Sequence, residues 1–315
     1  MLNKVKIAVL LGTFVALIII PPILHAIDQP FYLALASRIM IFAIAALSLD
    51  LILGYGGLVS FGHAAYIGLG AYAVAILNFY EIDNGYLHLF VAIVGSGIVA
   101  ALIGAISLRT GGLYFIMITL AFTQMLFFLG ISLEEYGGDD GINTSRSVFG
   151  EWIDMDDNTS LYYVILFLLV ACTLISWRLV NSRFGMVIRG SHSNEARMTA
   201  IGYPVFRYRL VAFIISGAIC GVAGFALANL TEFVTPSFMH WTRSGEIMIM
   251  VLLGGMGSLF GSVLGAAAYL LLEDVLSGIT QHWWIIFGPT LVIIILFAKK
   301  GLWGLLPGRE DMSDD

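Results

Sequence analysis

Residues 54–72 read GYGGLVSFGHAAYIGLGAY, a stretch apolar enough to enter a lipid bilayer and yet carrying glycines at 54, 56, 57, 62, 68 and 70. Glycine at this density inside a membrane either admits a neighbouring helix at close range or lets the chain unwind beside a polar cavity. A counterpart, GGMGSLFGSVLGAAAY, occupies residues 254–269 in the other half of the chain. Two glycine-interrupted apolar segments in corresponding halves point to a translocation pathway. Tight packing is the competing reading, because Gly257, Gly261 and Gly265 form one small-xxx-small ladder and Gly217 and Gly221 another.

The rest of the chain has the same character. Of 315 residues 59% are hydrophobic and only 11% charged, against about 25% in a water-soluble domain, so most of the surface must face lipid. Apolar runs at 5–20, 31–53, 58–79, 88–108, 112–133, 161–180, 208–230 and 283–298 predict about eight full transmembrane helices. The 32 residues of 245–276 are too long for one ordinary span and too short for two, and their glycines predict a pair of short helices in a V. The fold class is an all-α polytopic membrane protein, residues 1–315 forming a single transmembrane domain.

Charge sorting sets the orientation. The break at 134–160 carries eight carboxylates against Arg146, whereas the break at 177–209 carries Arg178, Arg183, Arg189, Arg197, Arg207 and Arg209 against Glu195. Arginines are retained on the cytoplasmic side, so the acidic loop is external and the 181–207 loop cytoplasmic. Lys4 and Lys6 before the first run, which lacks a small-residue cleavage site, and Lys299, Lys300 and Arg309 after the last place both termini in the cytoplasm.

Ionisable residues at membrane depth are few, namely Asp50, His63, Glu246 and Arg38, and each is a functional hypothesis because burying a charge in lipid is costly. Asp50 and His63 flank the first broken segment and are expected to hydrogen-bond across an unwound turn. A helix-end carboxylate and a packing histidine are the plainer readings. Glu246, after Ser244 and Gly245, reads as a cap at a helix start. Candidate pathway residues are therefore Asp50, Gly54, Gly57, Ser60, His63, Gly254, Gly255, Gly257 and Ser258.

Several chemistries are excluded. The four lysines lie in no phosphate-binding loop, and no zinc or hydrolase motif occurs, so no catalytic residue, cofactor or metal site is assigned. Cys172 and Cys220 sit inside apolar runs and read as small buried hydrophobes. A net charge of −6 argues against nucleic acid, leaving membrane lipid as the surrounding medium. The cytoplasmic loop holds a short segment from Asn194 to Ile201, capped by Ser193 or Asn194 and ended by Gly202 and Pro204, a suitable knob for a soluble partner.

Several strings in order then carry a family resemblance: LSLDLILGYGGLVSFGHAAYIGLGAY (47–72), GGLYFIMITLAFTQMLFF (111–128), GGDDG (137–141), FGMVIRG (184–190), NEARMTAIG (194–202), RLVAFIISGAICGVAG (209–224) and EIMIMVLLGGMGSLFGSVLGA (246–266). The chain resembles the permease subunits of branched-chain amino-acid-type ABC importers, and more the second permease of that heterodimer than the first. The resemblance implies a bacterial inner-membrane assembly with a second permease subunit, two cytoplasmic ATPase subunits and a periplasmic solute-binding protein. It also implies that the loop holding Asn194, Glu195, Ala196 and Gly202 is the coupling helix that docks in an ATPase. Similar permeases serve leucine, isoleucine and valine, other amino acids, urea or small aromatic acids. An ion-gradient-driven secondary transporter or channel working through Asp50 and His63 is the alternative from another class, and an intramembrane enzyme a third.

Overall fold

The computed structural model describes residues 12–13, 15–23, 30–150, 154–280, 282–297 and 301–304. Lys4, Lys6, Glu151, Lys299, Lys300 and Arg309 lie outside the described residues, so the two terminal anchors of the orientation do too.

The chain is a bundle of helices: α1 (residues 15–23), α2 (Pro30–Leu53), α3 (His63–Phe79), α4 (Gly85–Ser107), α5 (Leu113–Ser132), α6 (Asn158–Val180), α7 (Arg183–Ser193), α8 (Glu195–Ala200), α9 (Val205–Thr231), α10 (Trp241–Gly254), α11 (Leu259–Ile279), α12 (Trp283–Phe297) and the turn α13 (Gly301–Gly304). Among the described residues, α2, α4, α5, α6, α9 and α11 are each long and apolar enough to cross a bilayer. The chain is an all-α polytopic membrane protein.

Burial sorts these helices. In α2 and α9, 78% and 72% of the most apolar window is covered by protein, so these two form the axis. In α5 only 22% is covered, which leaves one long apolar face open. Helix α9 packs on α2, α3 and α4, and small residues set the approach: a side chain at Gly224 would overlap the Ile67 carbonyl, and one at Gly221 would stand 2.6 Å from the Ala92 carbonyl oxygen. The rings of Tyr66, Phe213 and Phe115 meet edge to face in the same core.

The structure departs from the sequence reading at three places. Residues 54–62 do not join the third span; they are unwound, and α3 begins only at His63 with 17 residues. The 245–276 stretch does divide, at Gly255–Ser258, but its arms differ: α10 has 14 residues and α11 has 21, so the second arm is a full-length helix. Gly265 against the Met250 carbonyl and Gly254 against that of Gly261 bring the arms into backbone contact. The 181–207 loop holds two helices rather than one, α7 preceding α8, and α9 already starts at Val205.

The described residues between α5 and α6 are tied to the bundle. Its Ile142–Asn143 pairs antiparallel with Phe233–Val234 just after α9, Arg146 meets Glu232 at 2.8 Å and donates to the Met155 and Asp156 carbonyls, and the Ser147 amide donates to Asn229 Oδ1 at 2.7 Å. Asp157 caps α6 by accepting from the Thr159 and Ser160 amides, and these hydrogen bonds hold its carboxyl below the usual carboxylate range.

Candidate functional site

The two glycine-broken segments meet. Asp50, buried one turn before the end of α2, accepts a hydrogen bond from the Gly257 amide at 2.8 Å, with the Ser258 amide and the Ser262 hydroxyl beside the same carboxylate. Among the described residues, Oδ2 of Asp50 has no hydrogen-bond partner. Gly54 lies against Gly257 so closely that a Cβ there would overlap the Gly257 nitrogen and Asp50 Oδ1 and stand 2.7 Å from Gly257 Cα. A loop amide is thus satisfied by a carboxylate from the other half, which is how irregular backbone survives inside a membrane protein. Asp50, Gly54, Gly257 and Ser258 form one junction; Gly255 follows α10 and abuts Gly301, and Gly254 abuts Gly261.

His63 belongs elsewhere. Its Nε2 lies 2.8 Å from Ser216 Oγ on α9, which in turn donates to the Ser48 carbonyl. The expected Asp50–His63 hydrogen bond is not made, because the unwound segment between them runs away from Asp50 along α10 instead of folding back. Its start touches Gly257, just past the end of α10, and its end touches Ser244 in the first turn of α10: Ser244 Oγ donates to the Phe61 carbonyl at 2.8 Å and accepts from the Ala64 amide at 2.9 Å.

Hydroxyls satisfy the far end of this segment. Thr119 and Thr123, buried on α5, respectively accept from the Phe61 amide at 3.2 Å and donate to the Phe61 carbonyl at 2.9 Å. Ser60 Oγ accepts from the Gly62 amide. Sequence reasoning missed Thr119, Thr123 and Ser244; the signal was a Thr-x3-Thr pair on one face of an otherwise apolar helix. The Glu246 cap expectation is also corrected. Helix α10 starts at Trp241, and Glu246, in its second turn, pairs with Arg243 at 2.8 Å.

The 181–207 loop reaches the same unwound segment. Asn194 Oδ1 caps α8 by accepting from the Arg197 amide at 2.8 Å, and Gly202 closes it with its amide on the Thr199 carbonyl. Glu195 pairs with Arg209 of α9 at 2.7 Å, and Arg209 also donates to the Ser191 carbonyl. None of the six residues of α8 is buried, Ala196 is exposed, and beyond it Ile201 stands 65% exposed. Helix α7 joins this knob to the membrane: Met198 packs on Gly190, and the His192 ring sits against Gly57, where a Cβ would come 2.7 Å from Nε2. Gly57 has φ of +68°, so both its backbone and the neighbouring ring exclude a side chain.

Among the described residues no group of three His, Cys, Asp or Glu side chains could hold a metal ion. A family model described as "Branched-chain amino acid transport system / permease component" matches residues 31–297. The high-affinity branched-chain amino acid transport system permease protein LivM of Salmonella typhimurium is 27% identical over 292 residues, covering 85% of this chain and 69% of that one. The corresponding LivH of Escherichia coli is 22% identical over 286 residues, covering 84% and 91%. The autoinducer 2 import system permease protein LsrC of an Enterobacter species is 28% identical over 311 residues, covering 92% and 86%.

Proposed function

Because the chain belongs to the branched-chain amino acid transport system permease component family, we propose that it is the second permease of an ATP-driven importer for branched-chain or related amino acids. It lies in a bacterial inner membrane with both termini in the cytoplasm and forms the pathway with a second permease. The greater identity to LivM than to LivH supports the second place in the heterodimer. Two ATPase subunits supply the energy, and a periplasmic binding protein delivers the solute to the acidic outer loop.

The observation that carries the reading is the physical continuity from α8 to the membrane interior. An exposed knob, its acid held by Arg209, connects through Met198–Gly190 and His192–Gly57 to the segment that meets Gly257 and Asp50. An ATPase that closes on α8 would therefore move the junction of the two halves, a lever of the hinge and shear kind. Asp50, Gly54, Gly57, Ser60, His63, Gly254, Gly255, Gly257 and Ser258 are the pathway candidates, and Asn194, Glu195, Ala196 and Gly202 the docking ones. An ion-coupled mechanism through Asp50 and His63 has less support, since Asp50 bonds to the α10–α11 loop and His63 to α9, and the two form no relay.

Co-purification in mild detergent tests the proposal. A second permease and an ATPase should travel with the chain, and deletion of residues 194–201 should release the ATPase while the remainder still inserts. Uptake driven by an ion gradient in vesicles holding this chain alone would overturn it.

A further inference from the structure

The starts of α4 and α6 lie at one end of the bundle, tied together by the α5–α6 loop: the Gly85 amide donates to the Val148 carbonyl at 2.7 Å, and Arg146 donates to Asn158 Oδ1 at 2.9 Å. Both helices pack on α9, and between them they leave a cavity of about 540 Å³. The buried Phe225 of α9 forms its floor, Tyr86 of α4 lies on one wall, and Ser160, Val164, Phe167 and Leu168, which share a face of α6, make the other. Phe149 of the loop also lines it, with its ring edge to face on Tyr86 at 5.0 Å and on Phe225 at 6.2 Å. The side away from α9 is open, since Tyr86 is 63% and Phe167 71% exposed.

Such a gap calls for an apolar occupant. Among the described residues no Asp, Glu, Lys or Arg lines it, so water gains little by entering, and walls left bare forfeit their dispersion contacts. The opening faces the bilayer, where hydrocarbon is the filler at hand. From Ser160 to Leu168 the wall descends about 12 Å, within the 15 Å or about that of one leaflet. Tyr86, in the first turn of α4, stands at the height of the headgroups. A lipid tail that enters here brings its headgroup to the two helix starts, and the charge at that rim selects the headgroup. Glu81 and Asp83 before α4 and Asp154, Asp156 and Asp157 before α6 are exposed, and Asp157 Oδ2 accepts from the Ser160 hydroxyl of the wall at 3.2 Å. Between residues 133 and 160 Arg146 is the one described arginine or lysine, and it is committed to Glu232, to the Met155 and Asp156 carbonyls and to Asn158. The rim is therefore acidic, which repels an anionic headgroup and attracts an ammonium.

We propose that this cavity holds one tail of a phospholipid whose headgroup carries an ammonium, the phosphatidylethanolamine class. The tail lies between α4 and α6 on Phe225, and the ammonium lies among the carboxylates at the two helix starts. Because Phe149 belongs to the α5–α6 loop, the lipid braces that loop against the bundle. The assignment does not depend on the identity of the solute.

Native mass spectrometry of the full chain in mild detergent, supplemented with dioleoyl phosphatidylethanolamine or dioleoyl phosphatidylglycerol, tests the site. The tails are identical, so the comparison isolates the headgroup. The first phosphatidylethanolamine should bind at least tenfold more tightly than the first phosphatidylglycerol. Asp154→Asn combined with Asp156→Asn, which leaves the Asp157 cap in place, should shrink that preference at least threefold. Val164→Trp should fill the cavity and remove the first site while weaker lipids still bind. Should that variant fail to fold, Phe167→Ala, at an exposed position, should weaken the first lipid at least threefold with the melting temperature unchanged. With p-benzoylphenylalanine in place of Phe167, irradiation of native membranes should capture phospholipid. Equal binding of the two lipids, a preference for phosphatidylglycerol, or wild-type binding in the cavity variants overturns the site, and capture of a polypeptide overturns the lipid as its occupant.

Discussion

Gly54→Ala is the most demanding perturbation of the junction. The added methyl group overlaps the Gly257 nitrogen and Asp50 Oδ1, both held by backbone or by a buried side chain, so nothing nearby yields cheaply. Separating the segments breaks the Asp50–Gly257 bond, and a hydrogen bond to a charged group contributes about 1.5–3 kcal/mol. Forcing a methyl into a filled site adds about 1–3 kcal/mol. The sum is about 2.5–6 kcal/mol, and at about 1.4 kcal/mol per tenfold it shifts the junction equilibrium by about two to four orders of magnitude. Fluorescence-detected size-exclusion after heating measures stability, and counterflow or uptake in proteoliposomes measures function. Gly95→Ala on α4 is the control, since a Cβ there meets nothing within 4 Å, and it should leave both readings at wild type. A Gly54→Ala protein with the melting temperature and uptake of Gly95→Ala would refute the close contact.

Removing hydroxyls tests how the unwound segment is kept in the membrane. Ser244→Ala leaves the Ala64 amide without its acceptor, while the Phe61 carbonyl keeps Thr123, and should destabilise by about 1–3 kcal/mol, seen as a lower melting temperature, with Thr119→Val adding to it. Gly57→Ala combines a left-handed backbone, about 1–2 kcal/mol, with an overlap on His192; adding His192→Ala should recover the overlap but not the backbone share, giving a non-zero coupling in a double-mutant cycle. Glu195→Gln breaks an exposed ion pair, so stability should change by no more than about 1 kcal/mol, while stimulation of the ATPase by loaded binding protein should fall. Asp157→Asn weakens a charged cap by about 1 kcal/mol or less. Because the folded carboxyl titrates below its unfolded value, the wild-type advantage should be complete above about pH 4 and disappear as pH falls through the folded pKa, which melting curves at stepped pH will show.

The membrane class was legible from charge scarcity, and the break within 245–276 from four glycines in a stretch of unsuitable length. That the first broken segment runs along α10 was not legible, because glycine density signals unwinding but not direction; direction is set by Ser244, Thr119 and Thr123, which read as ordinary residues of apolar helices. Asp50, singled out as an ionisable group at membrane depth, was given the wrong partner. A buried carboxylate takes the nearest free donors in space, and these were the amides of a loop 207 residues away. Asn194 was identified as a cap because capping is local, whereas α7 was overlooked since its core-facing residues, Val187 and Ile188, are too few to make a clear stripe. Glu273, which pairs with Arg38 of α2 at 3.4 Å, and Phe149 and Phe167 escaped for a similar reason: each gains meaning only from a partner or a cavity that tertiary structure supplies.

The short strand pair outside the membrane has a mechanical corollary. Phe233–Val234, Glu232 and Asn229 fasten the α5–α6 loop to the top of α9, so that loop and helix cannot be displaced independently. Helix α9 runs unbroken for 27 residues, about 40 Å, and its opposite end carries Arg209, which grips Glu195 and the Ser191 carbonyl. A load applied to the α5–α6 loop is therefore carried by one stiff rod directly to the base of α8.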